Sequence, residues 1–391
     1  MFMHRFFKFI LSMFILNIFL LTIDSCRSQI EDGKLNGFQC KTINVDLLSN
    51  DYVDCDSLFD VVRFIKLETD NKCFIGKIDK LIVTDNEFVV VDKQISKKVY
   101  VFNMDGSFRL SLSNNGRGPQ EYLGISDVFL MNNDSEVGIL DNENGKIMCF
   151  DFYGHYLNAI KNVPWYTSIE TIDTCTFVGY DFYNVLEDKR SFVVQDYQSN
   201  IDYVFGSNCY SSNFSYGREK NLYKSSEGIM GSLNFENTIY KFTKDSVMAC
   251  YKILTNPPIL DDCNIKTDKS FVERRDKMGF FNGRFINSED VILFSLSTPQ
   301  SIDLNCIYLK DKCKTMKINN ATRDPKFALW SFPVECSDNG FFYHIISASR
   351  ACGLKDFLYM EDLNDALLDS LYFGLTADSN PIIMVTKYDN E

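Results

Sequence analysis

Residues 78–112, IDKLIVTDNEFVVVDKQISKKVYVFNMDGSFRLSL, are answered at residues 125–160 by ISDVFLMNNDSEVGILDNENGKIMCFDFYGHYLNAI. Ile78 aligns with Ile125, Asp92 with Asp141, Phe102 with Phe150 and Gly106 with Gly154, a steady period near 48. Repeats of about 40–50 residues are the length of propeller blades. The first stretch divides into four short apolar runs: Leu81–Val83, Phe88–Val91, Val99–Phe102 and Phe108–Leu112. Asp85-Asn86 and Asn103-Met104-Asp105-Gly106 separate them, because Asn, Asp and Gly tolerate tight turns. Helical periodicity is absent from both stretches.

Working outward, the later units are less regular. Strands are expected at Ser191–Asp196, Ile201–Phe205, Thr238–Phe242, Val247–Ile253, Val291–Leu296, Ile307–Leu309 and Gly340–Ser347. Asp362–Ser370 is the one helical candidate beyond the N-terminal segment. No linker rich in Pro, Gly or Ser divides the chain, so one domain is expected. The expectation is an all-β, six-bladed β-propeller with four-stranded blades over residues 58–391. In a ring, Pro381–Lys387 would pair with Val61–Leu67 and hide two sheet edges.

The N-terminus has a different character. His4, Arg5 and Lys8 precede an apolar run from Phe9 to Ile23. That pattern is a secretory signal, and it is short for a transmembrane helix. It ends in Ser25-Cys26, a small residue before Cys, which resembles a bacterial lipobox; Asp24 departs from that pattern. Residues 1–25 are therefore expected to be a lipoprotein signal peptide outside the fold. Cys26 is the expected lipidation site and residues 26–57 a tether. The expected location is the cell envelope, lipid-anchored at a bacterial membrane, the outer membrane. A net charge of -13 argues against a nucleic-acid partner and against electrostatic adhesion to anionic lipid.

The segments Phe64–Thr69, Val90-Val91-Asp92 and Val101-Phe102 with Asp105-Gly106 resemble a family of Bacteroidetes lipoproteins with six-bladed propellers, related in pattern to NHL-type repeats. Gly116-Arg117-Gly118-Pro119-Gln120-Glu121-Tyr122 resembles that family's G-x-G-P-x-E-Y loop, and Asn237–Tyr240 and Asn380–Ile383 add support. The resemblance implies export, lipidation and a propeller, and it implies no particular reaction.

Signatures of chemistry are sparse. Thirteen Cys show irregular spacing and no C-x-x-C, and a chain of this size needs no disulfide to fold. Many, such as Cys149, sit in apolar strand contexts and read as small buried hydrophobes; Cys306 and Cys313, flanking an expected hairpin, are the alternative, a candidate disulfide. No Cys/His set has zinc spacing, and Asp141–Gly145 fails the EF-hand pattern, so it reads as a loop. No metal or cofactor site is expected. His155 follows a turn and is expected in solvent, and His344 in Phe341–Ile345 is expected in the core or channel. No G-x-S-x-G elbow, P-loop or Rossmann fingerprint is present.

Topology places the loop Gly116, Arg117, Gly118, Pro119, Glu121 and Tyr122 on the same rim as Lys97, Lys98, Asn142 and Lys146. Its structural role is a blade-to-blade connection in which the glycines turn, Pro119 stiffens and Arg117 or Glu121 pairs locally, with Arg117 the expected strut; its alternative role is a ligand-binding rim. The leading functional expectation is a lipid-anchored exported module that binds a peptide, a glycan or an envelope protein. The competing expectation is an exported carbohydrate-active hydrolase or lyase using channel-mouth carboxylates. Clustered acids at the mouth favour the second; a mouth lined by Lys and aromatics favours the first.

Overall fold

The computed structural model describes residues 40–184, 189–198, 200–207, 220–233, 236–261, 268–319, 324–358 and 365–389. The expected signal peptide and Cys26 lie outside them. Three strands come first: β1 (Lys41–Asp46), β2 (Tyr52–Asp54) and β3 (Phe59–Lys66). Blade one follows as β4 (Lys80–Val83), β5 (Glu87–Asp92), β6 (Lys98–Asn103) and β7 (Phe108–Leu112). Blade two is β8 (Asp127–Met131), β9 (Glu136–Asp141), β10 (Lys146–Asp151) and β11 (Tyr156–Lys161). Blade three is β12 (Ser168–Thr171), β13 (Thr176–Asn184), β14 (Lys189–Asp196) and β15 (Ile201–Ser207). Blade four is β16 (Leu222–Ser225), β17 (Gly228–Gly231), β18 (Thr238–Phe242) and β19 (Val247–Asn256). After helix α1 (Asp268–Met278), blade five is β20 (Phe280–Asn287), β21 (Val291–Ser297), β22 (Leu304–Leu309) and β23 (Lys314–Asn319). Blade six begins with β24 (Glu335–Cys336) and β25 (Phe341–Ile346), inserts α2 (Ala348–Leu358) and α3 (Ala366–Tyr372), and ends with β26 (Ile382–Tyr388). The six sheets form an all-β, six-bladed propeller, as expected.

Both faces of the blades are buried, which explains the unbroken apolar strands. In β5, Phe88 and Val90 pack toward blade six with Tyr343, Ile383 and Val385. The alternate residues Val89 and Val91 pack toward blade two with Val128, Leu130 and Ile139. Each such side chain, fully buried, contributes about 1.5–3 kcal/mol. The repeat seen in sequence is also a repeat of turns. Gly106 and Gly154 close the β6–β7 and β10–β11 hairpins at φ of 88° and 87°, a region that favours Gly.

A second repeated device is the buried Asp at the end of the second strand. Asp92 accepts from the backbone N–H groups of Gly76 (3.0 Å), Lys77 (3.3 Å) and Ile95 (2.9 Å). Asp141 accepts from the N–H of Leu123 (3.1 Å) and from the Asn144 amide (2.6 Å). Each carboxylate thereby ties the incoming connection to the next turn of its own blade. Burial pushes the Asp92 carboxyl up, but the backbone donors from Ile95, Ser96 and Lys77 outweigh it and hold it below the usual range.

The ring closes through β3. It pairs antiparallel with β26, from Ile382 opposite Lys66 to Tyr388 opposite Phe59. This is the expected pairing of Pro381–Lys387 with Val61–Leu67. Asn380 pins the same seam: its side chain accepts from Ile75 N (2.8 Å) and donates to the carbonyls of Glu68 and Cys73 (2.6 Å each).

Two expectations are corrected. Residues 41–54 are not a free tether: β1 adds parallel to β19 and β2 parallel to β23, covering the outer edges of blades four and five. Uncovered edges expose a row of unpaired backbone groups, which gives these strands a reason to dock. Helices are also more numerous than the single one expected. Of that one, Asp362–Ser370, residues 362–364 lie outside the described residues and the rest falls in α3 (Ala366–Tyr372), capped by Asp365 Oδ1, which accepts from Leu367 N and Leu368 N. In α2, ASRACGLKDFL, the buried residues Ala348 and Ala351 are small, so its sequence carries no strong apolar stripe.

Ending the chain at residue 372 removes β26, leaving β3 without a partner and β25 paired only with the two-residue β24. The expected outcome is loss of cooperative folding across the whole domain, read by denaturant unfolding with far-ultraviolet circular dichroism. An unchanged midpoint in the truncated chain would refute the closure.

Candidate functional site

The Gly116–Tyr122 loop joins β7 to β8 at the seam of blades one and two. Glu121 and Tyr122 are its braces. Glu121 Oε2 accepts from Gly118 N (2.6 Å), and Lys146 Nζ donates to the Glu121 carbonyl (2.7 Å). Tyr122 is fully buried, and its hydroxyl is shared between the carbonyls of Lys97 (2.9 Å) and Leu112 (3.0 Å). A Cβ on Gly116 would stand 2.1 Å from Glu121 Oε2, so a larger residue there would have to displace the Glu121 side chain. Pro119 and Arg117 are exposed. The expected Arg117 strut is therefore corrected: the strut is Glu121 with Tyr122, and Arg117 points to solvent. The loop shares its face with Lys97 and Lys146, as topology predicts.

The chemistry-bearing residues converge elsewhere, on the inner strands. Lys80, the first residue of β4, donates to Glu170 Oε1 of β12 (2.9 Å) and to Asp127 Oδ2 of β8 (3.3 Å). Lys93 Nζ reaches Asp127 Oδ1 (3.2 Å) and the Ser126 carbonyl (2.8 Å), and Ile169 N donates to Asp127 Oδ2 (3.0 Å). Blades one, two and three thus meet in a buried cluster of two ammonium groups and two carboxylates. Burial pushes Asp127 up, but Lys80 and Lys93 outweigh it and hold the carboxyl below its usual range. Burial also raises Glu170, with Lys80 pulling the other way. Lys80 stays protonated: burial opposes its charge, and Asp127 and Glu170 more than restore it.

Above this cluster, on the face where the inner strands begin, lies a cavity of about 490 Å³. Its walls are Phe280, Phe332, Val334, Ile345 and Tyr223, and its cations are Lys80, Lys220 and Arg284. Asp79 and Asp303 are the acids on its lining. The volume falls in the range of small-molecule sites, about 300–1,000 Å³. None of residues 116–122 lines it.

A β-bulge aims Arg284 at this mouth. Phe281 pairs with Leu296 and Phe285 with Phe294, so Asn282, Gly283 and Arg284 stand opposite Ser295 alone. Gly283 takes φ 79°, Asn282 Nδ2 donates to Ser295 Oγ (3.0 Å), and Arg284 N donates to Asn282 Oδ1 (3.0 Å). Bulges commonly re-aim a side chain beside a site. The guanidinium lies 4.7 Å from the Phe332 ring centre and 3.6 Å from Asp303 Oδ1. Lys220 Nζ stands 4.7 Å from the Tyr223 ring centre and 3.6 Å from Glu335 Oε2. Both carboxylate distances exceed hydrogen-bond length. Sequence reasoning missed this mouth. The available signal was Asn282-Gly283 inside the strand-like run FFNGRFIN, a pattern that marks a bulge.

At the opposite end, where the inner strands finish, a cavity of about 760 Å³ is lined by Asp85, Glu87, Asp134, Glu170, Glu335 and Asp338 among others. Arg109 pairs there with Glu87 (2.5 Å) and Lys224 with Asp134 (2.5 Å). Among the described residues, no group of three or more His, Cys, Asp or Glu stands close enough to hold a metal ion. His344 is a core residue: its Nδ1 lies 2.5 Å from the Ser331 carbonyl and its Nε2 2.9 Å from Thr386 Oγ1, and burial pushes its pKa down to about 4. His155 is exposed beside Asp151. The candidate disulfide is corrected, since Cys306 and Cys313 are both free. The register explains it: Cys306 lies opposite Lys317, while the hairpin closes at Leu309 and Lys314.

The chain belongs to the family described as "Domain of unknown function (DUF4934)", whose model matches residues 40–387. No curated protein matches it in sequence. Among solved structures, it is similar to a Bacteroides fragilis NCTC 9343 protein named "Putative exported protein". That match has a TM-score of 0.71 at 16% identity and covers 90% of this chain and all of the other. It is also similar to a member of the DUF4221 family from Bacteroides vulgatus ATCC 8482, with a TM-score of 0.50 at 8% identity over 85% and 98% of the two chains. At these identities the likeness is one of fold.

Two stability outcomes follow from the geometry. Tyr122→Phe is expected to cost about 1–2 kcal/mol, because a buried donor is lost, whereas Arg117→Ala stays within about 0.5 kcal/mol. A larger loss for Arg117→Ala than for Tyr122→Phe in denaturant unfolding would reverse the assignment. Lys80→Met is expected to cost about 3–5 kcal/mol, because it strands buried carboxylate charge. Adding Glu170→Gln to it should recover part of that loss; no recovery would mean that the Lys80–Glu170 pair is not the coupled unit.

Proposed function

We propose that this member of the family is an exported, lipid-held binding module, with its ligand seated in the cavity at the channel mouth. The observation that carries the reading is the composition of that mouth: aromatic and aliphatic walls with Lys220 and Arg284 on its lining. Binding sites of this kind combine apolar surface with a few polar groups that fix orientation.

The hydrolase reading has two observations in its favour, the acids lining the opposite cavity and a pair of carboxyl groups shifted apart. Asp127 is shifted down and Glu170 up, and carboxyl groups pushed apart are the mark of an acid–base pair. The geometry weighs against it. Asp127 has both oxygens occupied by Lys80, Lys93 and Ile169 N, and its side chain is only 4% exposed. A carboxylate so consumed has no free lone pair to offer a substrate.

Export and the lipid rest on the N-terminal pattern, Phe9–Ile23 followed by Ser25-Cys26. The name of the Bacteroides fragilis neighbour agrees with export. The direction of β1 adds a spatial consequence. It runs parallel to β19, the outer strand that climbs toward the mouth face, so the chain enters β1 from the opposite side. From Cys26 to Cys40 an extended tether spans at most about 50 Å. A lipid on Cys26 would then be attached to the domain from the acidic end.

The test has two arms. Wild-type protein should partition into detergent and carry lipid by mass spectrometry, and Cys26→Ala should do neither; an unlipidated, soluble wild type would remove the anchor. Ligands from a glycan and peptide screen should protect residues 280–284 and 332–334 from hydrogen exchange and be recovered unchanged. A screened glycan that is cleaved by wild type and spared by Glu170→Gln would establish the hydrolase instead.

A further inference from the structure

We propose that the mouth recognises a carboxylate carried on an apolar or ring-bearing body, with Arg284 and Lys220 as the two cations that receive it. The inference rests on the reading of the mouth as a binding site and adds the class of ligand.

The channel's charged groups fall into two sorts. Lys80, Lys93, Asp127 and Glu170 are hydrogen-bonded to one another and buried. Their donors and acceptors are engaged in holding three blades together. Arg284 and Lys220 are different. Each has one carboxylate at 3.6 Å, beyond hydrogen-bond reach, and each rests against an aromatic ring. A ring contact of this kind does not consume the N–H groups. The Arg284 guanidinium, with its Cζ 4.7 Å from the Phe332 ring centre, keeps forked donors that match the two oxygens of a carboxylate.

The cavity's other walls set the rest of the ligand. Phe280, Phe332, Val334 and Ile345 give an apolar surface beside the cations. Ile302, 81% exposed, extends that surface out to the rim. A bare inorganic anion would leave these walls uncovered, whereas an amphipathic acid satisfies both. Asp303 occupies the position of a competitor: a bound carboxylate would draw Arg284 from it. Lys220 stands on the mouth's lining with its ammonium toward Glu335 of the opposite cavity, and would turn from Glu335 to the ligand. Charge-assisted contacts of the incoming acid replace two loose ones, so the exchange favours the ligand.

Two sources present this chemistry, a polypeptide C-terminus and a uronic acid in a glycan, and paired probes separate them. The peptide arm uses N-acetylphenylalanine and its amide; the glycan arm uses methyl β-glucuronide and methyl β-glucoside. Affinities are read by ligand-observed NMR titration on the intact mature protein. The expected result is that the acid of at least one pair binds tenfold or more tighter than its neutral counterpart. Arg284→Gln should abolish that preference without moving the unfolding midpoint. Asp303→Asn should strengthen acid binding several-fold, a direction that loss of structure does not produce. Equal affinity for acid and neutral probes at the mouth would overturn the carboxylate assignment and leave the binding reading standing. No acid binding while other screened ligands protect the mouth would do the same. An empty mouth for every probe and every screened ligand would overturn both.

Discussion

The structure depends on one strand pairing across the ends of the chain. Six twisted sheets packed face to face can form a ring only if the last meets the first, and a gap would expose two long edges. Here β3, from near the start, supplies the outermost strand of the blade that β24, β25 and β26 begin. The hydrogen bonds of Asn380 to the segment after β3 fix that junction in register. The same N-terminal segment does more on its way there, since β1 and β2 lie along the outer edges of blades four and five. One continuous segment therefore protects half of the ring's periphery. Lys317, nearly fully buried, donates to the carbonyls of Asp46 and Ser49 and ties the segment down between its two strands.

At the centre the constraint changes from backbone pairing to charge. Inner strands of a propeller splay around an axis that side chains must fill or leave open. Lys80 fills it from blade one and meets Asp127 and Glu170 from blades two and three. Buried ion pairs add little net stability compared with apolar packing, because desolvation offsets the attraction. What they can impose is discrimination: a neighbouring blade shifted by one residue would leave a charge without its partner. The cluster also sets the shape of the two cavities. Lys80 lines one and Glu170 the other, so the ion pair stands at the boundary between the two cavities.

Legibility in the sequence followed regularity. Blades one and two obey a period near 48, and every strand expected there is present, because Asp92 and Asp141 perform the same latch and Gly106 and Gly154 the same turn. Blade six hides its pattern because α2 and α3 interrupt the step from β25 to β26. Blade five hides its site because the bulge at Asn282–Arg284 breaks the alternation that marks a strand. In the motif Gly116–Tyr122, the local pairing of Glu121 is present, while that of Arg117, the preferred strut, is not. A guanidinium is the obvious strut when only charge and reach are considered, whereas burial decides the matter, and burial of Tyr122 is a property of the seam between blades. Cys306 and Cys313 show the same limit: proximity in sequence across a hairpin does not give register.

The electrostatics of the whole chain bear on how a carboxylate could reach such a mouth. With a net charge of -13, the protein's long-range field opposes any anion. Two exposed or half-exposed cations, each beside its own acid, cannot invert that field at a distance. Beyond a Debye length of about 8 Å at physiological salt the repulsion is screened, so attraction has to arise at contact. That places the selectivity on short-range features: the contact of Arg284 with Phe332, the aliphatic wall beside it, and the weakness of its present 3.6 Å contact with Asp303. A site built in this way rejects small free anions, which bring charge and no apolar surface. It admits molecules whose apolar body supplies the contact energy that the field does not.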